Sequence, residues 1–135
     1  MAKEKTLCLI KPDAVKANHI GEIIAILESQ HFSILKMKLM KMNLNLAEKF
    51  YNVHKGKPFF DELVKFMTSG EIVALVLERE NPIGKLREIV GNTDSNLAED
   101  GTIRNKFGTD KGQNAIHASD AQETANYEIS VIFGK

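Results

Sequence analysis

The chain has little cysteine, little proline and no excess of charge of either sign. Its single cysteine, Cys8, cannot form a disulfide within the chain, which fits a reducing compartment. Eighteen basic residues balance eighteen acidic ones, so no overall field holds the protein on nucleic acid or on an anionic membrane. The apolar stretch near the N-terminus is too short for a secretory signal, and no run approaches the roughly 18 apolar residues of a membrane span. These absences favour a cytoplasmic protein that binds neither nucleic acid nor membrane.

Several familiar nucleotide and metal motifs are missing as well. Neither the P-loop pattern G-x-x-x-x-G-K-[ST] nor the dinucleotide pattern G-x-G-x-x-G occurs. Cysteine and histidine do not cluster at metal-ligand spacing, and H-E-x-x-H is absent. If the protein handles nucleotides, it therefore does so without a P-loop or a Rossmann turn, and we expect no metal held by protein side chains alone.

The length suits one domain, and no repeat, linker or low-complexity tract divides residues 1–135. Apolar runs and period-two alternation predict strands at 6–10, 32–42, 71–77 and 114–118, the second of these with one wet face. Helical spacing predicts helices from about 20 to 30 and at 46–54, 59–68 and 82–90. This order suits a ferredoxin-like α/β sandwich, in which helices cover a four-stranded antiparallel sheet.

Two stretches are ambiguous. Residues 92–112 show no period, and so long a segment without secondary structure is usually functional or disordered. Residues 127–133 have the composition of a strand, yet Asp120 and Glu123 form a capping-box pattern and apolar residues follow at helical spacing. We therefore predict a C-terminal helix.

The segment Asn114-Ala-Ile-His-Ala-Ser-Asp contains the most promising chemical group. His117 follows an apolar pair and precedes the start of the predicted helix, whose N-terminal N–H groups attract anions. One nitrogen of a neutral imidazole can attack while a carboxylate, for which Glu128 is available, holds the other. On spacing alone, a purely structural histidine at a strand end is an equally good interpretation.

The other three histidines carry weaker signals. His19 and His31 lie in polar segments and are expected at the surface. His54 lies close to Lys55 and Lys57, which is compatible with a supporting role near phosphate, although the sequence favours a solvated loop.

The segment NAIHASD resembles the active-site signature of the nucleoside diphosphate kinase family, Asn-x-x-His followed by Gly or Ala and then Ser-Asp. Further blocks of the family occur in the same order and at the same spacing, so the resemblance extends through nearly the whole chain. These blocks are TLCLIKPDAV at 6–15, GEII at 21–24, the segment 51–60 with its Pro58-Phe59-Phe60, Arg87 with Thr93, and GTIR at 101–104.

The resemblance implies a role for each matching residue. His117 would carry a phosphoryl group on Nδ1, Glu128 would orient the ring, and Ser119 would hydrogen-bond to Glu128. Phe59 would stack on the nucleotide base through its face, which requires no base-specific hydrogen bonds. The phosphates and the sugar would be surrounded by Lys11, Tyr51, Arg87, Thr93, Arg104 and Asn114.

The resemblance also implies an activity and its partners. The enzyme would transfer the γ-phosphate of a nucleoside triphosphate, typically ATP, to a nucleoside diphosphate such as GDP or a deoxynucleoside diphosphate, and so maintain the triphosphate pools. Donor and acceptor would occupy one site in turn, in ping-pong order. Mg²⁺ would arrive with the nucleotide and bridge its phosphate oxygens. Members of the family form tetramers, hexamers and occasionally dimers, so a homo-oligomer is expected, a tetramer or a hexamer.

The sequence departs from the family pattern at three places. Thr93-Asp94-Ser95 stands where the family usually has Thr-Asn-Pro, which predicts a less stable loop and assembly rather than lost chemistry. Lys111 occupies a position beside the base that is often apolar, so the preference among bases is open. The sequence ends at Lys135 without the longer tail of many relatives, which leaves the type of oligomer open.

Two other functional classes compete with this interpretation. A ferredoxin-like domain can bind RNA, and Phe59-Phe60 with nearby lysines could form a stacking surface, but no RNP-like aromatic block occurs and the net charge is zero. A nucleotide-binding regulator without catalysis is the second alternative. The retention of the whole set of site residues argues against it.

Overall fold

A computed structural model describes residues 2–110 and 113–134, and its centre is a four-stranded antiparallel sheet. The strands lie side by side in the order β2-β3-β1-β4. Their bounds are β1 Lys3–Ile10, β2 Ser33–Lys41, β3 Glu71–Glu80 and β4 Ile116–Ala118. The predicted α/β fold with a four-stranded antiparallel sheet is confirmed.

Helices cover both faces of this sheet and connect its strands. In the described residues they are α1 Pro12–Lys16, α2 Ile20–Ser29, α3 Leu44–Phe50, α4 Phe60–Met67, α5 Pro82–Val90, α6 Ile103–Phe107 and α7 Gln122–Phe133. Two short 3₁₀ turns, Asn52–His54 and Ser95–Leu97, occupy the connections after α3 and α5. None of the helices in the described ranges has the length and apolarity needed to cross a membrane.

The hydrophobic core is divided by the sheet into two layers. Alternate residues of β1 point to opposite faces, so Cys8 and Ile10 pack with α2 and α5, whereas Leu7 and Leu9 pack with α3, α4 and α7. The second layer matters for function, because it lies on the same face of the sheet as the side chain of His117, which is paired with Leu9 across the ladder between β1 and β4.

The sequence-based interpretation was right for the long elements and wrong in details. The prediction of a C-terminal helix is confirmed by α7, but the capping box is not, because the extended Ala121 occupies the N-cap and no side chain caps the helix. β2 was expected to have one wet face, yet its residues are exposed or half-buried on both faces because it lies at the edge of the sheet. The short helices α1 and α6 were not predicted.

Candidate active site

His117 is held from behind by a buried carboxylate. β4 carries the histidine, and α7 crosses the same face of the sheet and brings Glu128 to it. His117 Nε2 lies 2.9 Å from Glu128 Oε1, and the side chains are only 19% and 7% exposed, respectively. The hydroxyl of Ser119 donates to the same carboxylate oxygen at 2.6 Å. A proton on Nε2 satisfies the carboxylate, so the lone pair of the imidazole is on Nδ1, the nitrogen on the opposite side of the ring.

Two aromatic rings from α3 and its end flank this imidazole. The ring centroids of Phe50 and Tyr51 lie 5.2 and 6.2 Å from that of His117, both in edge-to-face geometry. The Tyr51 hydroxyl is buried, and among the described residues it has no hydrogen-bond partner. Burial raises the pKa of Tyr51 above its ordinary value, and the carboxylate of Glu128 adds to the effect. Tyr51 therefore remains a protonated donor that lacks an acceptor.

Close to the backbone that precedes the histidine lies a group of positive charges that form no salt bridge within the described residues. Lys11 and Arg104 are buried, and Arg87 is close enough to Arg104 to lower the pKa of its guanidinium. Burial, reinforced by Arg104 and opposed by Asp13, lowers the pKa of Lys11 to about 8. In the described part of the chain, no carboxylate forms a salt bridge with any of these three cations. Desolvated cations without partners are unfavourable in an empty site and favourable once an anion binds.

Neutral groups rather than acids accept the hydrogen bonds of Lys11 and Arg104. Lys11 Nζ donates to Asn114 Oδ1 at 2.8 Å, and the two terminal nitrogens of Arg104 donate to the carbonyls of Gly91 and Ile116 at 3.2 and 2.8 Å. The Nε of Arg104 is buried and has no partner among the described residues. The cations are thus positioned without being neutralised, which leaves their charge available to a ligand.

A glycine allows the C-terminal end of α5 to come close to the N-terminus of α6. Gly91 terminates α5 with φ +91°, a conformation that other residues rarely adopt. A Cβ at this position would lie 2.6 Å from the hydroxyl oxygen of Thr102, which caps α6. Because Gly91 has no side chain, its carbonyl can accept from Arg104 and the loop that follows can turn toward Asn114.

The remaining predicted residues lie at the rim. Thr93 is exposed, and its carbonyl accepts from the Asn114 amide at 2.9 Å. Phe59 is 47% exposed, whereas the neighbouring Phe60 is only 7% exposed and packs in the core, as the sequence indicated. Lys111 lies outside the described residues.

His54 belongs to the site, although the sequence favoured a solvated loop for it. It is half-buried, and its ring centroid lies 6.4 Å from that of Tyr51 and 5.3 Å from that of Phe59, so its ring lies between these two aromatic side chains. Burial and the charge of Lys57 lower its pKa. The three-residue spacing from Tyr51, combined with a tight turn, was the signal that could have identified it.

Direct contacts connect most of the predicted residues into one group. His117, Glu128 and Ser119 share hydrogen bonds, and the ring of Tyr51 lies against the imidazole. Lys11 and the carbonyl of Thr93 both bond to Asn114, and the ring of His54 lies between those of Tyr51 and Phe59. Among residues 2–110 and 113–134, no group of three or more His, Cys, Asp and Glu side chains is arranged to hold a metal ion.

Comparison with known proteins gives one consistent result. A family model described as nucleoside diphosphate kinase matches residues 4–135. A nucleoside diphosphate kinase of Persephonella marina is 47% identical over 135 residues, which is 100% of this chain and 96% of the relative. Nucleoside diphosphate kinase 2 of Protochlamydia amoebophila is 52% identical, with coverages of 98% and 93%.

Solved structures agree with these sequence comparisons. The nucleoside diphosphate kinase of Aquifex aeolicus superposes with a TM-score of 0.96 at 48% identity, over 98% of this chain and 96% of that one. A halophilic nucleoside diphosphate kinase from Halobacterium salinarum, solved in complex with CDP, superposes with a TM-score of 0.95 at 38% identity, with coverages of 99% and 90%.

Proposed function

The chain belongs to the nucleoside diphosphate kinase family and is a nucleotide phosphotransferase of that class, and from this premise we propose that it works through a phosphohistidine on His117. The γ-phosphate of a nucleoside triphosphate, typically ATP, passes first to the enzyme and then to a nucleoside diphosphate. The observation that carries this proposal is the imidazole whose Nε2 is held 2.9 Å from a buried carboxylate, close to cations that form no salt bridge within the described residues.

In the first half-reaction, the lone pair on His117 Nδ1 attacks the γ-phosphorus. The bond from that phosphorus to the β–γ bridging oxygen breaks, and its electron pair leaves with the nucleoside diphosphate. The ring becomes more positive, and the carboxylate of Glu128 stabilises that charge through Nε2–H. In the second half-reaction, a terminal β-phosphate oxygen of the acceptor attacks the phosphorus, the P–N bond breaks, and its electron pair returns to Nδ1.

The surrounding side chains position the phosphates and balance their charge. Phosphoryl transfer depends mainly on positioning and charge stabilisation, which Lys11, Arg87 and Arg104 supply. The free Tyr51 hydroxyl, Thr93 and Asn114 add polar contacts to the phosphates and the sugar. Phe59, exposed at the rim, stacks on the base through its face and therefore accepts different bases.

We propose that Mg²⁺ enters as part of the substrate. Phosphate oxygens are the hard ligands that this ion prefers, and the cationic side chains of the site favour a nucleotide whose metal is already bound to its phosphates over a bare dication. Acceptors include GDP and deoxynucleoside diphosphates, and the enzyme maintains the pools of triphosphates. The buried free thiol of Cys8 supports a cytoplasmic location.

A homo-oligomer, a tetramer or a hexamer, is the assembly that we propose. The edge strand β2 pairs with β3 on one side only, among the described strands, and it exposes Leu35, Met37 and Leu39. An exposed apolar edge strand is a template for pairing with another chain. The shared sheet between the two core layers supports a single domain over residues 1–135.

Turnover with varied substrates tests the proposal. Mixing the protein with ATP, GDP and Mg²⁺ should produce GTP, and double-reciprocal plots at several GDP concentrations should be parallel, as expected for ping-pong transfer. His117→Ala should abolish turnover. Intersecting plots, which indicate a ternary complex with direct transfer, would contradict the phosphohistidine route.

A further inference from the structure

A strained turn immediately precedes the catalytic histidine. The N–H of Ile116 donates to the carbonyl of Asn114 at 2.9 Å, and the residue between them, Ala115, has φ +73°. An i→i+2 hydrogen bond across a residue with this φ defines a γ-turn of the rare, strained kind. Alanine is disfavoured at positive φ, so its neighbours must hold the turn in place.

The segment that follows β1 holds this turn at both of its peptide groups. The N–H of Ala115 donates to Asp13 Oδ2 at 3.0 Å, and the carbonyl of Ala115 accepts from the N–H of Lys11 at 2.8 Å. Of these two restraints, only the one from Asp13 depends on a side chain. Asp13 lies in the first turn of α1, and its half-buried carboxylate reaches across 102 positions of sequence to the turn.

The turn connects three parts of the active site. Asn114, at its start, accepts from the ammonium of Lys11. Ile116, at its end, offers its carbonyl to Arg104 at 2.8 Å, and His117 is the next residue. A change of the turn would therefore move the histidine relative to both buried cations.

We propose that Asp13 is a positioning residue for phosphoryl transfer: its carboxylate holds Ala115 in the strained γ-turn and thereby fixes His117 relative to Lys11 and Arg104. The inference rests on the proposed role of His117 as phosphate carrier. Asp13 forms no described hydrogen bond to His117 or to Lys11, and its charge acts on Lys11 only at a distance. Its direct contact is with the backbone of Ala115, through which it positions residues 114–116. A small misplacement of a reacting group can cost about a hundredfold in rate.

The test removes the hydrogen bond from Asp13 and then relieves the backbone strain at Ala115. In single-turnover mixing with γ-labelled ATP and Mg²⁺, Asp13→Ala should lower the maximal rate of phosphohistidine formation by roughly tenfold to a hundredfold, with little change in the half-saturating ATP concentration. Adding Ala115→Gly should restore most of that loss, because glycine adopts positive φ without strain. A merely structural role of Asp13 predicts no such rescue.

Two further variants keep the comparison interpretable. Glu22→Ala removes an exposed carboxylate from the first turn of α2 and should leave the phosphorylation rate unchanged. Asp13→Asn keeps an acceptor oxygen, should slow the reaction less than Asp13→Ala, and should also gain rate from Ala115→Gly. If circular dichroism shows that Asp13→Ala does not fold, Asp13→Asn with and without Ala115→Gly replaces Asp13→Ala with and without Ala115→Gly.

The outcomes separate the inference from the function on which it rests. A folded Asp13→Ala that forms phosphohistidine at the wild-type rate would overturn the inference alone, and so would a double variant no faster than the single one. Asp13→Asn that forms phosphohistidine at the wild-type rate would also overturn the inference alone. So would an Asp13→Asn protein whose rate does not rise when Ala115→Gly is added. Wild-type protein that forms no phosphohistidine would overturn the proposed function together with the inference.

Discussion

Lys11 carries its charge in a place where little water is available to stabilise it. Burial, together with Arg104, lowers its pKa to about 8, so in the free enzyme the ammonium is protonated below that pH and loses its charge above it. The charged form attracts phosphate. We therefore expect kcat/KM, which reports on the free enzyme, to fall as pH rises through about 8.

A pH profile with a matched variant isolates this effect. Lys11→Met should have low activity throughout and should lose the alkaline fall, because it has no ammonium to titrate. The assays should run from pH 7 to pH 9, on either side of the pKa of about 8. A flat wild-type profile of kcat/KM over this range would contradict the role given to Lys11. An alkaline fall of kcat/KM that persists in Lys11→Met would contradict it as well.

The contact between His117 and Glu128 gives a second prediction. Glu128→Gln retains an acceptor but not the charge that stabilises the phosphorylated ring. Hydrogen bonds to charged groups contribute about 1.5–3 kcal/mol, which corresponds to roughly a tenfold to hundredfold loss in the maximal phosphorylation rate. The nucleotide concentration for half-maximal rate should change little, since Glu128 lies behind the ring.

The variant Ser119→Ala is a milder change that can be compared with Glu128→Gln. It removes the 2.6 Å donor but leaves the carboxylate charged, so its loss of rate should be smaller than that of Glu128→Gln. Rapid-quench measurement of both half-reactions checks the order. An unchanged rate in Glu128→Gln would contradict the role given to this carboxylate.

A residue of the candidate site could be predicted from the sequence when the pattern that indicates it lies within a short segment. His117 and Ser119 lie in one short motif, so their roles were predicted together. Phe60 was correctly expected in the core and Phe59 outside it, because the first residue of α4 and the residue before it face different surroundings. The stacking of Phe59 on a base stays a prediction. His54 was undervalued, since its approach to Tyr51 depends on a 3₁₀ turn that composition does not reveal.

The longer elements were predictable because their periods are strong. β3 contains a continuous apolar run that is buried inside the sheet, and α5 has proline at its first position and glycine at its end. α6 was missed because five residues are too few to show a helical period, although the side chain of Thr102 caps it. The strained turn at Ala115 could not be anticipated, because only contacts distant in sequence stabilise it.

The 3₁₀ turn at Ser95–Leu97 permits a prediction about stability. Ser95 is its first residue, is 6% exposed, and has a hydroxyl without a partner among the described residues. Asp94, with φ −83° and ψ 112°, already has the conformation required before proline. Ser95→Pro removes only a long N–H contact of 3.5 Å to Asp110 and should stabilise the protein by about 0.4–1 kcal/mol.

Thermal melting at fixed protein concentration checks this change, which should raise Tm by about 1–4 °C for a domain of this size. Ser95→Ala is the control, because it removes the unpaired hydroxyl without restricting φ. Equal melting temperatures for Ser95→Pro and Ser95→Ala would show that the backbone restriction contributes nothing.

Beyond a single chain, the exposed edge of the sheet predicts association. Met37 and Leu39 are 59% and 57% exposed on a strand whose backbone is available for pairing. Replacing both by Glu places charges in the proposed contact, so light scattering should show a smaller mass than for the wild-type protein. Leu44→Glu, a comparably exposed site outside the strand, should leave the mass unchanged. A wild-type mass for the β2 variant would exclude this edge as an interface.

The phosphohistidine itself can be observed directly. After incubation with γ-labelled ATP and Mg²⁺ and removal of free nucleotide, wild-type protein should retain label that is labile to acid and stable to base, and adding GDP should release it as labelled GTP. His117→Ala should retain none. Label on the His117→Ala protein, or wild-type turnover without any labelled enzyme, would contradict the central claim.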